Sequence, residues 1–123
     1  MNIALWIVQI LLAVAFLGSG VMKLTQPKEK IASSMAWAAD FTPPVIKLIG
    51  LAEVLGAVGL VLPAVTGIAP VLVPLAAVGV ALVMVGAIIT HARRGEAQMI
   101  AVNAVLLLLA VFVAWGRFGP YAF

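Results

Sequence analysis

Four long apolar runs constrain the fold of this chain more than any other feature of its sequence. Each run has 18 to 22 residues, and a helix needs about 20 residues to cross the hydrocarbon core of a bilayer. Helices suit this environment because their backbone groups hydrogen-bond within the segment. Apolar residues make up 66% of the chain and charged residues 9%. Such a composition leaves too few polar residues to cover a soluble domain of this length.

We therefore predict an all-α fold, a transmembrane four-helix bundle that comprises residues 1–123 as a single domain. The predicted spans are residues 3–24, 45–62, 71–90 and 99–116. Thr42-Pro43-Pro44 is typical of an N-cap followed by prolines in the first turn of the second span. Pro63 and Gly67 are expected to end that span. Pro74 either kinks the third span or marks its start.

The segment between the first two spans, residues 25–40, is too polar to cross a membrane. It combines Lys28 and Lys30 with Ile31 and Trp37. Tryptophan and lysine together suit the headgroup layer of a bilayer. This pattern favours a short amphipathic interfacial helix over a solvated loop.

The basic residues are unevenly distributed between the two ends of the predicted bundle. The loops after the first and third spans, with their edges, carry six basic residues, whereas the opposite side has Arg117. The positive-inside rule then places these two loops in the cytoplasm and both termini outside, in a bacterial-type cytoplasmic membrane. No aromatic residues alternate with the basic ones as a nucleic acid site would need, so we expect contacts with lipid headgroups and not with nucleic acid. The topology and headgroup residues are Lys28, Lys30, Lys47, Arg93 and Arg94.

Four polar residues, one from each predicted helix, can be placed in the cytoplasmic half of the membrane, with Lys23 and His91 at the inner ends of the first and third helices. Glu53 lies eight residues after Val45, about 12 Å below the membrane surface at the rise of an α-helix. Ionisable groups at this depth normally have a partner. We infer a buried polar network built on Glu53, with Lys23 as its salt-bridge partner and with Asn103 and His91 as hydrogen-bond partners.

Each of these residues also has a purely structural interpretation. Glu53 can be protonated and only hold the helices together. Lys23 can extend to the headgroups instead of pairing with Glu53. His91 lies beside two arginines and can be an interfacial residue, and Asn103 can be an interhelical hydrogen-bond donor.

Small residues are spaced along one face of the first two spans, which favours close packing between helices. The predicted helix-packing residues are Gly50, Gly56, Ala57, Ser19 and Gly20. A bundle of this size encloses a narrow cavity at most. We therefore expect a homo-oligomer or other membrane subunits as partners, with the glycine faces as suitable surfaces.

The composition excludes several kinds of site. One histidine and no cysteine rule against a metal site or a haem site formed by protein ligands alone. The sequence also lacks a recognisable set of catalytic residues. We do not expect the chain to act as an enzyme on its own.

Three stretches together resemble the DoxX / DoxX-like family of small four-helix membrane proteins. They are FLGSGVMKL at residues 16–24, IGLAEVLGAVGL at residues 49–60, and the basic turn that follows the third span. The resemblance implies a four-helix membrane fold, with Lys23 and Glu53 in the family's polar positions. It also implies an association with membrane redox systems for some members, and a role in membrane-protein assembly for distant relatives.

Three functions follow as hypotheses. The first is an accessory or structural subunit of a quinone-linked membrane redox system, with a quinone or lipid as the ligand. The second is a homo-oligomeric carrier or pore for a small solute or protons, with Glu53 on the path. The third is an assembly factor that binds other membrane helices.

Overall fold

The structure is a computed structural model that describes residues 1–35, 38 and 41–123, without the side chain of Ser34. Within these residues the chain forms five helices. They are α1 (Asn2–Thr25), α2 (Lys28–Ser34), α3 (Pro43–Thr66), α4 (Leu72–Arg93) and α5 (Ala97–Phe118). All but α2 are long and apolar enough to cross a membrane. The predicted all-α fold with four spans and a short helix after the first span is confirmed.

Prolines determine where α3 and α4 begin. Pro43 and Pro44 occupy the first two positions of α3, where a missing N–H costs no intrahelical hydrogen bond. Thr42 is the N-cap residue, as predicted, but its hydroxyl makes no capping bond. Pro74 is the third residue of α4, so it marks the start of that helix.

The prediction that Pro63 helps to end the second span is wrong. Pro63 is buried inside α3, which continues to Thr66 and ends at Gly67 with a φ of 71°. Proline removes one backbone hydrogen bond, and membrane helices tolerate this loss where neighbouring helices pack around the site. The positive φ of Gly67 is what stops the helix, because glycine adopts this conformation readily.

The short helix α2 is amphipathic and packs on the start of α3. Ile31 is buried against Ala38 and Ile46, whereas Glu29 and Lys30 are exposed. Trp37 and Asp40, which belong to the predicted interfacial segment, lie outside the described residues. The helix therefore covers one end of the bundle with its apolar side.

Glycine residues allow the spanning helices to approach closely. A Cβ atom on Gly20 of α1 would lie 2.6 Å from the carbonyl oxygen of Gly50 on α3. One on Gly56 would lie 2.8 Å from Val80 Cγ2 on α4. These distances are shorter than any normal contact, so the glycines are required for the packing observed.

The predicted helix-packing residues are therefore used inside the chain. Gly20, Gly50 and Gly56 face neighbouring helices, and Ala57 lies in the core. Gly20, Gly50 and Gly56 are covered by the bundle itself, and the expectation of a homo-oligomer or of other membrane subunits as partners stays a prediction. Ser19 is half-buried and faces the cavity described below.

The four long helices form a ring in the order α1, α3, α4 and α5, in which α1 contacts α5 less extensively than the other neighbours contact each other. We call the end with both chain termini the terminal end and the end with α2 and the α4–α5 turn the basic end. The main apolar core lies towards the terminal end, around Leu12, Leu60, Val73, Val80 and Val113. The basic half of the bundle is less tightly filled.

Candidate functional site: a central cavity in the basic half

A cavity of about 480 Å³ lies among the four spanning helices in the basic half of the bundle. Its wall is mainly apolar and includes Phe16, Met35, Phe41, Met84 and Leu106. Among the described residues, six that line the cavity have polar side chains. They are Ser19, Lys23, Glu53, Thr90, His91 and Asn103. The four polar residues singled out in the sequence thus share one cavity, to which each spanning helix contributes one of them.

Lys23 and Glu53 form an ion pair on one wall of this cavity. The Nζ atom of Lys23 donates to Glu53 Oε1 at 2.5 Å and to Ser19 Oγ at 2.6 Å. The two residues are 5% and 3% exposed. Gly20 and Gly50 lie three residues before them and bring the two backbones together, which places the side chains within reach of each other. Because both charges are removed from water, the close pairing offsets part of a large desolvation cost.

His91 does not hydrogen-bond to Glu53, contrary to the predicted network. Its Nδ1 atom lies 2.9 Å from Glu96 Oε1, and Arg94 Nε lies 3.2 Å from the same oxygen. The tight turn after α4 explains this partner, because Gly95 has a φ of 70° and the N–H of Glu96 donates to the carbonyl of His91. The turn folds Glu96 back onto the end of its own helix.

Asn103 is likewise not hydrogen-bonded to Glu53. The residue is 6% exposed, and its Nδ2 atom is buried without a hydrogen-bond partner in residues 1–35, 38 and 41–123. The structure therefore has three separate polar groups around one cavity where the sequence analysis predicts a single network. These are the Lys23–Glu53 pair, the His91–Glu96 pair and the unpaired amide of Asn103.

A second buried polar cluster lies at the terminal end, and the sequence analysis does not predict it. Arg117 is 3% exposed. Its Nε donates to Gln9 Oε1 and its Nη1 to Asn2 Oδ1, both at 2.7 Å. Gln9 Nε2 in turn donates to the carbonyl of Leu60 at 2.7 Å. Gln9 is the one strongly polar interruption of the first span before Lys23, and that is the signal that could have revealed the cluster.

Part of the cavity wall is formed by exposed residues of the spanning helices. Five of its lining residues are themselves exposed, namely Ala15, Leu48, Ala52, Gly86 and Met99. All five lie within the spanning helices. The cavity is therefore bordered by exposed positions of the spanning helices.

The topology and headgroup residues lie at the basic end, around the mouth of the bundle. Lys30, Lys47, Arg93 and Arg94 are exposed, and Lys28 is half-buried. Lys47 Nζ also donates to the carbonyl of Leu24 at the end of α1. These cations sit where anionic headgroups would contact the protein if this end lies at a membrane surface.

The side chains described around the cavity do not form a set of ligands for a metal ion. Within the described part of the chain, no group of three or more His, Cys, Asp or Glu side chains is close enough to hold one. The carboxylates of Glu53 and Glu96 are instead engaged by cations or by His91. The arrangement suits the binding of a molecule with an apolar body and few polar atoms.

Comparison with curated proteins finds no match, and comparison with solved structures finds none either. The model of one family does match, over residues 7–113. That range includes the six polar residues of the cavity named above, and it also includes Gln9 of the terminal-end cluster. Because the match covers nearly the whole chain, this small integral membrane protein belongs to the DoxX-like family.

Proposed function

We infer that this protein is an accessory subunit of a quinone-linked membrane redox system, in which it binds a quinone or a lipid. The observation that carries this proposal is the central cavity, with its apolar wall and its few buried polar groups. Sites for small molecules commonly enclose roughly 300–1,000 Å³ and are lined in this way. The cavity of about 480 Å³ is within that range.

The charges around the cavity favour a ligand without net charge. Lys23 is neutralised by Glu53, and Glu96 is contacted by both His91 and Arg94. A charged ligand would have to break one of these pairs or remain uncompensated in a low-dielectric environment. A quinone ring or the acyl region of a lipid carries no net charge, so its binding neither breaks an ion pair nor leaves a charge uncompensated.

The proposed role is binding and positioning, and electron transfer centres would come from a partner. The chain has no cysteine and one histidine, so its side chains cannot provide the thiolate or bis-histidine ligands that iron centres use. A quinone held in the cavity would exchange electrons with a centre on another subunit. This is why we propose an accessory subunit and not an independent enzyme.

The test is native mass spectrometry of the protein extracted directly from its membrane into lipid nanodiscs. We expect a bound quinone or lipid, and a second subunit with a redox centre. In Ala87→Phe, a larger side chain enters the cavity from α4 and should displace the ligand. Ala101→Phe is the matched control, because Ala101 is an exposed residue of α5 that does not line the cavity.

Other outcomes would contradict the proposal. Equal ligand retention in Ala87→Phe and Ala101→Phe would place the ligand outside the cavity. A pH-dependent flux across proteoliposomes that is lost in Glu53→Gln, without bound quinone, would indicate a carrier or pore. Co-purification with one client membrane protein that holds no redox centre, without a ligand, would indicate an assembly factor.

A further inference from the structure

Within residues 1–35, 38 and 41–123, two polar residues that line the central cavity have a hydrogen-bond donor without an acceptor. The Asn103 amide on α5 is one of them, since its Nδ2 has no partner in the described part of the chain. The hydroxyl of Ser19 on α1 is the other. Its oxygen accepts from Lys23 Nζ at 2.6 Å, and no acceptor among the described residues receives its own proton.

A donor left unpaired in a membrane bundle is costly, because no bulk water is present to satisfy it. Asn103 can relieve this cost through a small movement. The torsion about its Cβ–Cγ bond is broad, so the amide can turn its N–H group towards the cavity that it lines. An acceptor atom within the cavity would then satisfy it.

The other polar groups of the cavity restrict what that acceptor can be. A carboxylate or phosphate would have to displace Glu53 from Lys23 or remain without a counter-charge, because these two residues line the cavity and already neutralise each other. An amine would bring more donors to a site that already has two without partners. A carbonyl oxygen accepts hydrogen bonds and carries no charge, so it meets both conditions.

We propose that the cavity selects a neutral ligand by its carbonyl oxygens, which accept hydrogen bonds from Asn103 on α5 and Ser19 on α1. This inference rests on the proposed function and assigns a chemical class to its ligand. Asn103 and Ser19 are then the residues that determine specificity. The class includes quinone rings and the ester groups of phospholipids, and the experiment distinguishes the two.

The test compares two probes of similar shape, of which one has two ring carbonyl groups and the other has none. The first is a 2-alkyl-1,4-benzoquinone and the second is the alkylbenzene with the same alkyl chain, each titrated against the protein in nanodiscs. The quinone should bind more tightly. Asn103→Leu, which keeps the size of the side chain, should weaken quinone binding by roughly two- to tenfold, the range of one hydrogen bond between neutral groups. It should leave alkylbenzene binding unchanged, and Ser19→Ala should behave in the same way.

The stability of Asn103→Leu separates ligand recognition from helix packing. If Asn103 binds the ligand, the ligand-free variant should unfold at the same temperature as the wild type or higher, because an unpaired buried donor has been removed. A lower unfolding temperature would show that Asn103 holds helices together and would overturn the inference. Equal affinity for both probes, unchanged in Asn103→Leu, would also overturn it but would leave the proposed function intact. Binding of neither probe would reject both.

The source of the carbonyl group is resolved by the lipid of the nanodisc. Ether phospholipids have the same head groups as ester phospholipids but lack the ester carbonyls. If quinone affinity rises in ether lipids, lipid esters compete for the same two donors. If quinone affinity is the same in both lipids, the donors serve the quinone alone.

Discussion

Lys23 on α1 and Glu53 on α3 are 30 residues apart in the chain, yet their side chains form an ion pair with 2.5 Å between Nζ and Oε1. Both are buried in the basic half of the bundle. Neither charge has bulk water to stabilise it, so each depends on the other. The pair joins the first and second spans at the wall of the central cavity.

Removing one member of this pair should destabilise the protein strongly. We expect Lys23→Met or Glu53→Leu alone to lower the free energy of unfolding by about 3–5 kcal/mol, because each leaves one buried charge without a partner. The double variant should regain most of that loss, because it buries no charge. Reversible unfolding in detergent, analysed as a double-mutant cycle, measures the coupling. Lys30→Met is the control, because Lys30 is an exposed residue of α2 and its replacement should change stability by less than about 0.5 kcal/mol. Additive losses in the double variant would contradict a pairing energy.

The sequence identifies this pair because depth and chemistry are both readable from it. An ionisable residue inside an apolar run needs a partner, and Lys23 and Glu53 fall in the same, cytoplasmic half of consecutive spans. The same reasoning fails for His91, because the depth of a residue in its helix does not show which side chain a following turn places next to it. Glu96 is five residues away in the chain and reaches His91 through the turn at Gly95.

The cavity and the terminal-end cluster depend on how whole helices pack against one another. The local sequence pattern of each helix does not show that packing. An arginine near the end of a span is typical of a topology signal, and from the sequence Arg117 is placed only as the basic residue on the side opposite the basic loops. Its burial follows from the positions of Gln9 and Asn2 on α1, more than 100 residues earlier in the chain. The cavity exists because four helices leave space between them in the basic half of the bundle.

The close approach of α1 and α3 gives a second prediction. We expect Gly20→Ala to lower the free energy of unfolding by about 1–3 kcal/mol, the usual cost of overpacking, because its Cβ would lie 2.6 Å from the Gly50 carbonyl oxygen. Gly18→Ala is the matched control on the same helix, since a Cβ there has no atom within 4 Å. That variant should be neutral or slightly stabilised. Thermal unfolding of both variants in the same detergent measures the difference, and equal stability would contradict the observed packing.

The terminal-end cluster gives a third prediction. Gln9 joins three helices, because it accepts from Arg117 on α5 and donates to the Leu60 carbonyl on α3. We expect Gln9→Leu to lower the free energy of unfolding by about 1–3 kcal/mol, since it removes the acceptor of the buried Arg117 Nε. Chemical unfolding in detergent measures this loss. Gln98→Leu is the control, because Gln98 is an exposed residue of α5. A loss of similar size in the control would show that the effect is not specific to the buried cluster.

The predicted orientation gives a fourth prediction, because the chain has no cysteine and single cysteines can be labelled without background. Ile68 is 73% exposed in the turn between α3 and α4, and Ala92 is exposed at the opposite, basic end. If both termini lie outside, a membrane-impermeant maleimide added to intact cells should label Ile68→Cys but not Ala92→Cys. Both should react after the membrane is permeabilised, which controls for accessibility within the fold. The reverse pattern in intact cells would show that the six basic residues face outwards, against the positive-inside rule.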